Sequence, residues 1–246
     1  MSIDNWEINE GDFISILGPN GGGKSTLLKI LARILTFKKG VIKLDGVELP
    51  EISIKEYAKK VAYVPQSAHS LFSFSVYEIV MMGRTPYLGL MGFENEDDKK
   101  IVDEALELME ITNLKNKGIN EISGGEAQRV IIARALAQKA KLILLDEPNS
   151  HLDIEHQLSI FNLLTNLNKE QNITFVSVSH DLNLVGIYSK DVVFVQNGKI
   201  TLQGKKHEVL TEENINKVFH INSKVTYSPD FQTANIIVQP FTGMHN

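Results

Sequence analysis

Short apolar runs alternate along this chain with segments in which apolar residues recur at helical spacing. The runs that look like strands are Phe13–Leu17, Val41–Leu44, Val61–Val64, Leu142–Leu145, Ile173–Val178 and Val192–Val195. Strands that alternate with helices are typical of a mainly parallel sheet. The run at Val41 is an exception, because the segment from Gly40 to Gly46 favours one arm of a small antiparallel hairpin. The pattern therefore predicts an α/β fold with a mainly parallel sheet and a small antiparallel part.

Between Ser75 and about Leu114 the strand-like runs disappear. Apolar residues in this segment follow the i, i+3, i+4, i+7 spacing of helices, at Val76, Ile79, Val80, Ile101, Ala105 and Leu108. We predict an inserted helical subdomain over about 67–125, within an α/β core that comprises 1–66 and 126–246. The sequence has no internal repeats or low-complexity tracts, so we expect one domain over 1–246.

The stretch Gly18-Pro19-Asn20-Gly21-Gly22-Gly23-Lys24-Ser25 matches the phosphate-binding pattern G-x-x-x-x-G-K-[ST]. A strand-like run precedes it and a helix-like segment, Thr26–Ala32, follows it. Glycines let backbone N–H groups point together at phosphate oxygens, and the helix N-terminus adds positive partial charge. The alternative is a glycine-rich turn with a surface lysine. We predict that Gly18 to Thr26 bind a nucleoside triphosphate, with Lys24 on its β- and γ-phosphates and Ser25 on Mg²⁺.

Two adjacent carboxylates, Asp146 and Glu147, follow the apolar run Leu142–Leu145. Ligands of an open parallel sheet bind at the carboxyl ends of its strands, so we expect both acids to lie beside the phosphates. Asp146 suits Mg²⁺ through the water shell of the ion, and Glu147 is positioned to act as the general base on the attacking water. The alternative is a strand that simply ends in an acidic turn.

The composition narrows the classes of protein to consider. The 246 residues include 30 acidic and 25 basic side chains, and the formal net charge of -5 gives no reason to expect nucleic-acid binding. Cysteine is absent, which excludes disulfides and thiolate metal sites and fits a cytosolic location. No run approaches the ~20 apolar residues of a membrane helix, and Met1–Asn5 lack the pattern of a signal peptide. If the protein works at a membrane, a partner must span it.

A third motif, Ser123-Gly124-Gly125-Glu126, opens a predicted helix that continues to Ala137. Ser123 has the position of a helix N-cap, and Glu126 would complete a capping box. Alternatively, the serine hydroxyl, the glycine N–H groups and the helix dipole form a second anion site. The residues themselves favour neither interpretation.

Taken together, Gly18–Ser25, Ser123–Gln128 and Leu142–Glu147 resemble, in this order, the nucleotide-binding subunit of an ABC transporter. The resemblance covers nearly the whole chain and implies an ABC ATPase domain that uses ATP and Mg²⁺. It also implies that two copies enclose two ATP molecules, each held by Gly18–Ser25 of one copy and Ser123–Glu126 of the other. The implied partners are an integral-membrane permease at the cytoplasmic face of the cell membrane and, indirectly, a periplasmic or extracellular substrate-binding protein.

The resemblance assigns roles to three further residues. Gln66 matches the glutamine that contacts Mg²⁺ and the attacking water, and His180 matches the histidine that contacts the γ-phosphate. Asp153 matches the acid that crosses the dimer interface. Without the resemblance, Gln66 would be a solvated loop residue and His180 the polar end of a strand. Asp153 would be the N-cap of a helix that begins near Ile154, a role compatible with the other.

A narrower resemblance concerns the transported substrate. Glu126 stands where the family usually has glutamine, and this variant is similar to importers for iron chelates, haem and cobalamin, as are the segment Val76–Tyr87 and the loop Ser150–Asp153. The alternatives are a transporter for another substrate and a soluble ABC-type ATPase that acts on DNA ends or ribosomes. Such soluble relatives usually carry a coiled coil or tandem ATPase units, and this sequence has neither. A small-molecule P-loop kinase would not need Ser123-Gly124-Gly125.

The N-terminal segment departs from the family pattern. The family has a strand and an aromatic residue that stacks on adenine well before the phosphate loop, whereas here only Met1 to Leu17 precede it. Trp6 alternates with Ile8, which predicts a strand with Trp6 in the core. Either the natural N-terminus is missing, or adenine is held differently, in which case Tyr57 and Tyr63 are candidates.

The surface that would receive the permease is predicted on the helical segment Ser75–Leu90. A docking groove needs apolar anchors with a polar rim. The candidate anchors are Phe72, Phe74, Tyr77, Met81, Met82 and Tyr87. Arg84 and Tyr87 are the residues at which substitution is expected to uncouple transport from hydrolysis, although a purely structural role is open for each anchor.

Overall fold

In a computed structural model, the described residues are 1–66, 74–89, 93–150, 152–228, 230 and 233–240. Their strands are β1 (Phe13–Leu17), β2 (Lys43–Leu44), β3 (Val47–Glu48), β4 (Val61–Val64), β5 (Leu142–Asp146), β6 (Thr174–Val178), β7 (Asp191–Gln196), β8 (Lys199–Lys205), β9 (Asn222–Ser228) and β10 (Thr233–Gln239). The helices are α1 (Lys24–Leu31), α2 (Ile54–Lys60), α3 (Val76–Met81), α4 (Glu96–Leu108), α5 (Gly124–Ala137), α6 (Ile154–Gln171), α7 (Leu182–Tyr188), α8 (Lys206–Val209) and α9 (Glu212–Phe219).

The central sheet has the strand order β4-β5-β6-β1-β7-β8. Neighbouring strands from β4 to β7 are parallel, and β8 is antiparallel to β7. The β2–β3 and β9–β10 pairs are small antiparallel sheets. The predicted fold class is therefore confirmed. Because the parallel strands point the same way, the residues that follow β1, β4, β5 and β6 all emerge at one edge of the sheet.

Both faces of the parallel strands β1, β4, β5, β6 and β7 are largely buried, which explains why these strands are continuous apolar runs in the sequence. Strand β8, at the end of the sheet, alternates between exposed and half-buried residues. On β1, Phe13 packs into a core shared with α5 and α6, whereas Ile14 and Ile16 pack on the opposite face against Leu28 of α1. Burying such a side chain stabilises the fold by roughly 1.5–3 kcal/mol. The sheet is therefore a rigid platform for the loops at its carboxyl edge.

The helical segment packs on one face of this platform. Helices α3 and α4 contact α5, and α5 contacts β4. Their apolar side chains form one continuous cluster with residues of the sheet, from Val102 of α4 to Ile143 of β5. The predicted division into a core and a helical subdomain stays a prediction, and its boundary at 125/126 falls in the first turn of α5.

Some local predictions were wrong. Trp6 and Ile8 do not lie in a strand, although both are half-buried against the core that contains Leu28. The strand expected at Val41–Leu44 is shorter, but its hairpin with β3 is confirmed. Strand β8 was not predicted, and its signal is Asn197-Gly198: both residues have positive φ, 50° and 71°, as in a two-residue hairpin turn.

Candidate active site

The predicted phosphate loop connects β1 to α1 and lies against the turn between β7 and β8. A Cβ on Gly18, where φ is +148°, would lie 2.0 Å from the carbonyl oxygen of Val195, and one on Gly22 would lie 2.8 Å from the same oxygen. The N–H of Gly198 donates to the carbonyl oxygen of Gly22 at 2.8 Å. These glycines are therefore needed for close backbone approach as well as for the curl of the loop.

Lys24 is buried beneath this loop. Its Nζ donates to the carbonyl oxygens of Gly18 at 2.9 Å and Pro19 at 3.1 Å. Burial lowers the pKa of Lys24, and the charges of Glu147 and Asp146 partly offset that effect. The ammonium group is thus held inside the loop by neutral carbonyl groups, without a direct ion pair among the described residues, and can exchange these contacts for phosphate oxygens.

Asp146 ends β5 on the face of the sheet that carries α1. The hydroxyl of Ser25 donates to its Oδ1 at 2.8 Å, and the hydroxyl of Tyr63 donates to its Oδ2 at 3.0 Å. Burial, and then the charge and hydrogen bond of Asp146, raise the pKa of Tyr63. The structure therefore brings two of the predicted metal-binding residues, Ser25 and Asp146, into direct contact.

These oxygen atoms fit Mg²⁺. In such sites the ion takes one or two protein ligands and completes its shell with water and substrate phosphates. Ser25 and Asp146 supply a hydroxyl and a carboxylate next to the phosphate loop. Within the described ranges, no group of three or more acidic, histidine or cysteine side chains is arranged to hold a metal without such additional ligands.

Glu147 is held between two other predicted catalytic residues. Gln66 Nε2 donates to Glu147 Oε2 at 2.6 Å, and His180 Nε2 contacts Glu147 Oε1. Glu147 itself has a positive φ of 52°, and its N–H donates to the carbonyl oxygen of Val178 at 3.1 Å. Left-handed backbone is uncommon for a non-glycine residue, and here it occurs at the residue that contacts both Gln66 and His180. Gln66 follows β4 and His180 follows β6, and both side chains thus meet the carboxylate of Glu147, which follows β5.

Ser123 and Glu126 form the capping box that their spacing predicts. The N–H of Glu126 donates to the Ser123 hydroxyl at 3.3 Å, and Glu126 Oε2 accepts from the Ser123 N–H at 2.7 Å. The Ser123 N–H, and then its hydroxyl, lower the pKa of Glu126. In the described part of the chain, no hydrogen bond joins Ser123–Glu126 to the phosphate loop. Their predicted contact with ATP stays a prediction.

Asp153 is the N-cap of α6. It accepts the N–H of His156 at 2.9 Å and contacts His156 Nδ1 at 2.7 Å. The His156 N–H, and then the imidazole, lower the pKa of Asp153. The same imidazole lies over Gly125, where an added Cβ would be 3.0 Å from the ring. The sequence predicts His151 and His156 as surface residues. His156 is partly exposed and lies between Asp153 and the Ser123–Glu126 motif, whereas His151 lies outside the described residues.

The two tyrosines considered for adenine binding have other contacts. Tyr57 is 7% exposed, its hydroxyl donates to the carbonyl oxygen of Leu31, and burial raises its pKa to about 12. It is therefore not an accessible stacking surface. Tyr63 instead contacts Asp146, a role that the sequence analysis missed. The alternation of β4 could have indicated it, because Tyr63 pairs with Leu144, two residues before Asp146 on the same face.

The predicted docking surface changes in two respects. Met81 is buried, and Arg84 is a buried structural residue rather than an exposed contact. Its Nε donates to Asp98 Oδ1 at 2.9 Å, and its Nη1 donates to the carbonyl oxygen of Ala137 at 2.8 Å. The exposed apolar candidates are Phe74, Met82 and Tyr87, while Phe72 and Leu90 lie outside the described residues.

A comparison with known protein families identifies the chain. Residues 2–150, which contain the phosphate loop, Ser123–Glu126 and both carboxylates, match the family described as ABC transporter. This protein belongs to the ABC transporter family. Its similar proteins are ATP-binding proteins of such transporters, and a solved cassette with this fold was captured after hydrolysis of ATP. The protein is therefore an ATPase.

Several ABC proteins are similar to it along most of their length. The iron(3+)-hydroxamate import ATP-binding protein FhuC of Bacillus subtilis is 38% identical, over 92% of this chain and 84% of the relative. The ferric enterobactin transport ATP-binding protein FepC of Escherichia coli is 37% identical, over 94% of this chain and 85% of the relative.

Solved structures agree with the fold. An inward-facing conformation of a metal-chelate type ABC transporter has a TM-score of 0.85 at 31% identity, covering 97% of this chain and 90% of that chain. A dimeric post-hydrolysis state of the ATP-binding cassette MJ0796, bound to ADP and Pi, has a TM-score of 0.72 at 31% identity, covering 82% and 88%. None of the helices in the described part of this ABC protein combines the length and apolar character needed to cross a bilayer.

Proposed function

We propose that this ABC ATPase is the nucleotide-binding subunit of an importer for an iron chelate. The observation that carries the proposal is the convergence of Gln66, Asp146, Glu147 and His180 beside the phosphate loop. The relatives of the chain include an iron(3+)-hydroxamate import protein and a ferric enterobactin transport protein. The convergence supports ATP hydrolysis at this edge, and the relatives support the cargo class. The subunit would act at the cytoplasmic face of the cell membrane.

Each residue at the edge has a part in this proposal. The N–H groups of Gly18–Thr26 and the Lys24 ammonium bind the phosphates, and Ser25, Gln66 and Asp146 are the metal-binding residues. Magnesium, when bound, would offset charge on the phosphate oxygens. Glu147 accepts a proton from water as the water oxygen bonds to the γ-phosphorus and the bond to the β-phosphate oxygen breaks. His180 donates a hydrogen bond to the γ-phosphate.

Those roles require a rearrangement of the contacts in the structure. Gln66 and His180 now occupy both carboxylate oxygens of Glu147. Transfer of Gln66 to the metal and of His180 to the γ-phosphate would release Glu147, so that the base becomes active only when nucleotide is bound.

The second half of the nucleotide site is proposed to come from another copy of the chain. Ser123 and the open glycine Gly124, which has no atom near an added Cβ, lie at the N-terminus of α5, where anions are favoured. The absence of described hydrogen bonds from this motif to the phosphate loop of its own chain is consistent with a role in trans. A dimeric cassette is among the solved structures that share this fold.

The permease is proposed to dock on the exposed apolar residues of the helical segment. Phe74, Met82 and Tyr87 are exposed there, and Tyr87 packs on the Arg84 guanidinium at 3.9 Å from its ring centre. An exposed apolar surface supported by a fixed scaffold suits a docking role. A substrate-binding protein would act on the permease from the other side of the membrane, without contacting this chain.

Uptake of a ferric hydroxamate carrying labelled iron tests the proposal. Cells that lack this chain should lose uptake, the wild-type chain should restore it, and Lys24→Ala should not. Uptake of an unrelated nutrient in the same cells is the control. Unchanged chelate uptake without the chain would contradict the cargo and favour a transporter for another substrate or a soluble ABC-type ATPase. Full rescue by Lys24→Ala would contradict a role for ATP hydrolysis.

A further inference from the structure

Among the described residues, two side chains donate hydrogen bonds to Asp146, and the proposed function does not use the one from the Tyr63 hydroxyl. Tyr63 lies on β4, the outermost strand on one side of the sheet, and pairs with Leu144 of β5. Asp146 is two residues beyond Leu144 and on the same face, a diagonal separation that an aromatic side chain can span. The Tyr63 hydroxyl donates to Asp146 Oδ2 at 3.0 Å. The register of two strands, rather than a loop, therefore determines this contact.

The two oxygens of Asp146 each accept one hydroxyl. Ser25 donates to Oδ1 and Tyr63 to Oδ2. A hydroxyl has one hydrogen to donate and two lone pairs, so Ser25 can bind a metal through its oxygen while it still donates to Asp146. A carboxylate oxygen likewise keeps acceptor capacity after one hydrogen bond. Both contacts are thus compatible with a metal shell beside the carboxylate.

A phenol has a specific advantage as the second donor. A Lys or Arg in this place would form an ion pair with Asp146 and compete with a cation for it. A phenylalanine would leave Oδ2 without a donor, and the carboxylate could rotate. Tyr63 fixes the plane of the carboxylate and leaves its full negative charge for the cation. Groups that orient metal ligands in this way typically change metal affinity 10–100-fold when they are removed.

We infer that Tyr63 is a positioning residue that sets the magnesium affinity of the nucleotide site through Asp146. The inference rests on the proposed metal role of Asp146 and deepens it. The substitution Tyr63→Phe removes only the hydroxyl and keeps the ring, which packs against the core on the α1 face. Tyr57→Phe is the matched control, because it removes a hydroxyl that donates to the carbonyl oxygen of Leu31 and does not contact Asp146.

The test measures ADP binding by the full chain in EDTA and over a series of Mg²⁺ concentrations, by calorimetry. The Mg²⁺ midpoint is the Mg²⁺ concentration at which half of the change in ADP affinity has occurred. Tyr63→Phe should raise this midpoint about tenfold and leave the affinity for ADP in EDTA unchanged. Tyr57→Phe should leave the Mg²⁺ midpoint at the wild-type value. Thermal unfolding of the metal-free proteins separates general loss of stability from the specific effect.

The inference and the proposed function fail in different ways. If Asp146→Asn abolishes the Mg²⁺ effect but Tyr63→Phe leaves the midpoint unchanged, the inference is wrong and the metal role of Asp146 stands. If Asp146→Asn also leaves the midpoint unchanged, the metal role itself is wrong. An equal shift in Tyr57→Phe, or an equal loss of ADP affinity in EDTA for Tyr63→Phe, would also overturn the inference.

Discussion

The carboxyl edge of the sheet and the helical segment from α3 to the start of α5 differ in how their polar side chains are bonded. At the edge, hydrogen bonds join residues that are distant in sequence, such as Ser25 to Asp146 and Gln66 to Glu147. In the helical segment, Ser75 and Ser123 each bond a glutamate three residues away. The edge is therefore assembled by the fold, whereas the two capping boxes of the helical segment are each bonded within one helical turn. The long-range bonds of the helical segment, those of Arg84 to Asp98 and Ala137, are buried beneath its surface.

The largest effect is expected at the edge, for Glu147→Gln. Loss of the carboxylate removes the proposed general base, so ATP hydrolysis should slow by about 10²–10⁴-fold, while ATP still binds to the phosphate loop. Hydrolysis rates and ATP binding measure the two effects, and size exclusion should detect a trapped ATP-bound dimer. The control is Glu170→Gln, at an exposed position of α6. Near-normal turnover in Glu147→Gln would assign the base to another residue.

The next effect concerns stability within the helical segment. Arg84 and Asp98 form a buried ion pair at 2.9 Å, and removal of one partner of such a pair costs about 3–5 kcal/mol. Arg84→Ala should therefore lower the free energy of unfolding by that amount in urea titrations. Lys99→Ala, which removes an exposed pair with Glu96 on the same helix, should cost no more than about 1 kcal/mol. Equal losses in the two variants would contradict the structural role of Arg84.

The same pair gives a pH dependence with a defined sign. Burial alone would raise the pKa of Asp98, but the hydrogen bonds of Arg84 and of the Asn95 N–H, with the charge of Arg84, lower it. A carboxyl whose pKa is lower in the folded state stabilises the fold above its unfolded pKa of about 3.9. That contribution is lost as the pH falls through the folded pKa. The free energy of unfolding of the wild-type protein, measured in urea at a series of pH values, should therefore fall as the solution is acidified. The same fall should be smaller for Arg84→Ala.

The contrast between the carboxyl edge of the sheet and the helical segment also explains which site residues the sequence could predict. Gly18–Ser25 and Asp146-Glu147 were recognisable because local spacing alone specifies their chemistry, and the parallel order of strands then predicts where they meet. Gln66 and His180 depended on resemblance, since each is a single polar residue after a strand. Tyr63 was missed because its partner is determined by strand register, and Arg84 was misassigned because its buried partner, Asp98, is fourteen positions away.

Mixing two inactive variants tests Ser123 in trans, and the expected effect is a partial recovery of activity from at most one of the two sites. Ser123→Arg should prevent hydrolysis, because the side chain would block the proposed contact with ATP on the other copy, and Lys24→Ala should prevent it in its own copy. Mixed chains should regain activity, since one of the two sites then has both an intact Lys24 and an intact Ser123. Ser75→Arg, which disrupts a similar capping box, controls for the loss of a helix cap, worth about 1 kcal/mol. Normal hydrolysis by Ser123→Arg alone would show that the site is complete within one chain.

The smallest effect is expected on the outer surface of the helical segment, for Met82→Gln. Met82 is 41% exposed and belongs to the 3-10 helix Met82–Tyr87 that Arg84 anchors to α5, so a polar replacement changes the surface without removing a core contact. A contributing interface residue is worth about 1 kcal/mol or more when it is altered, which corresponds to roughly fivefold weaker docking of the permease. Permease-stimulated hydrolysis in proteoliposomes should fall, and basal hydrolysis by the isolated chain should not.

The control is Ile237→Gln, at a 49% exposed position of β10, which should change neither rate. If Met82→Gln keeps full stimulation while Glu147→Gln slows hydrolysis as expected, the catalytic edge is correctly assigned and the permease docks on a different face of the chain.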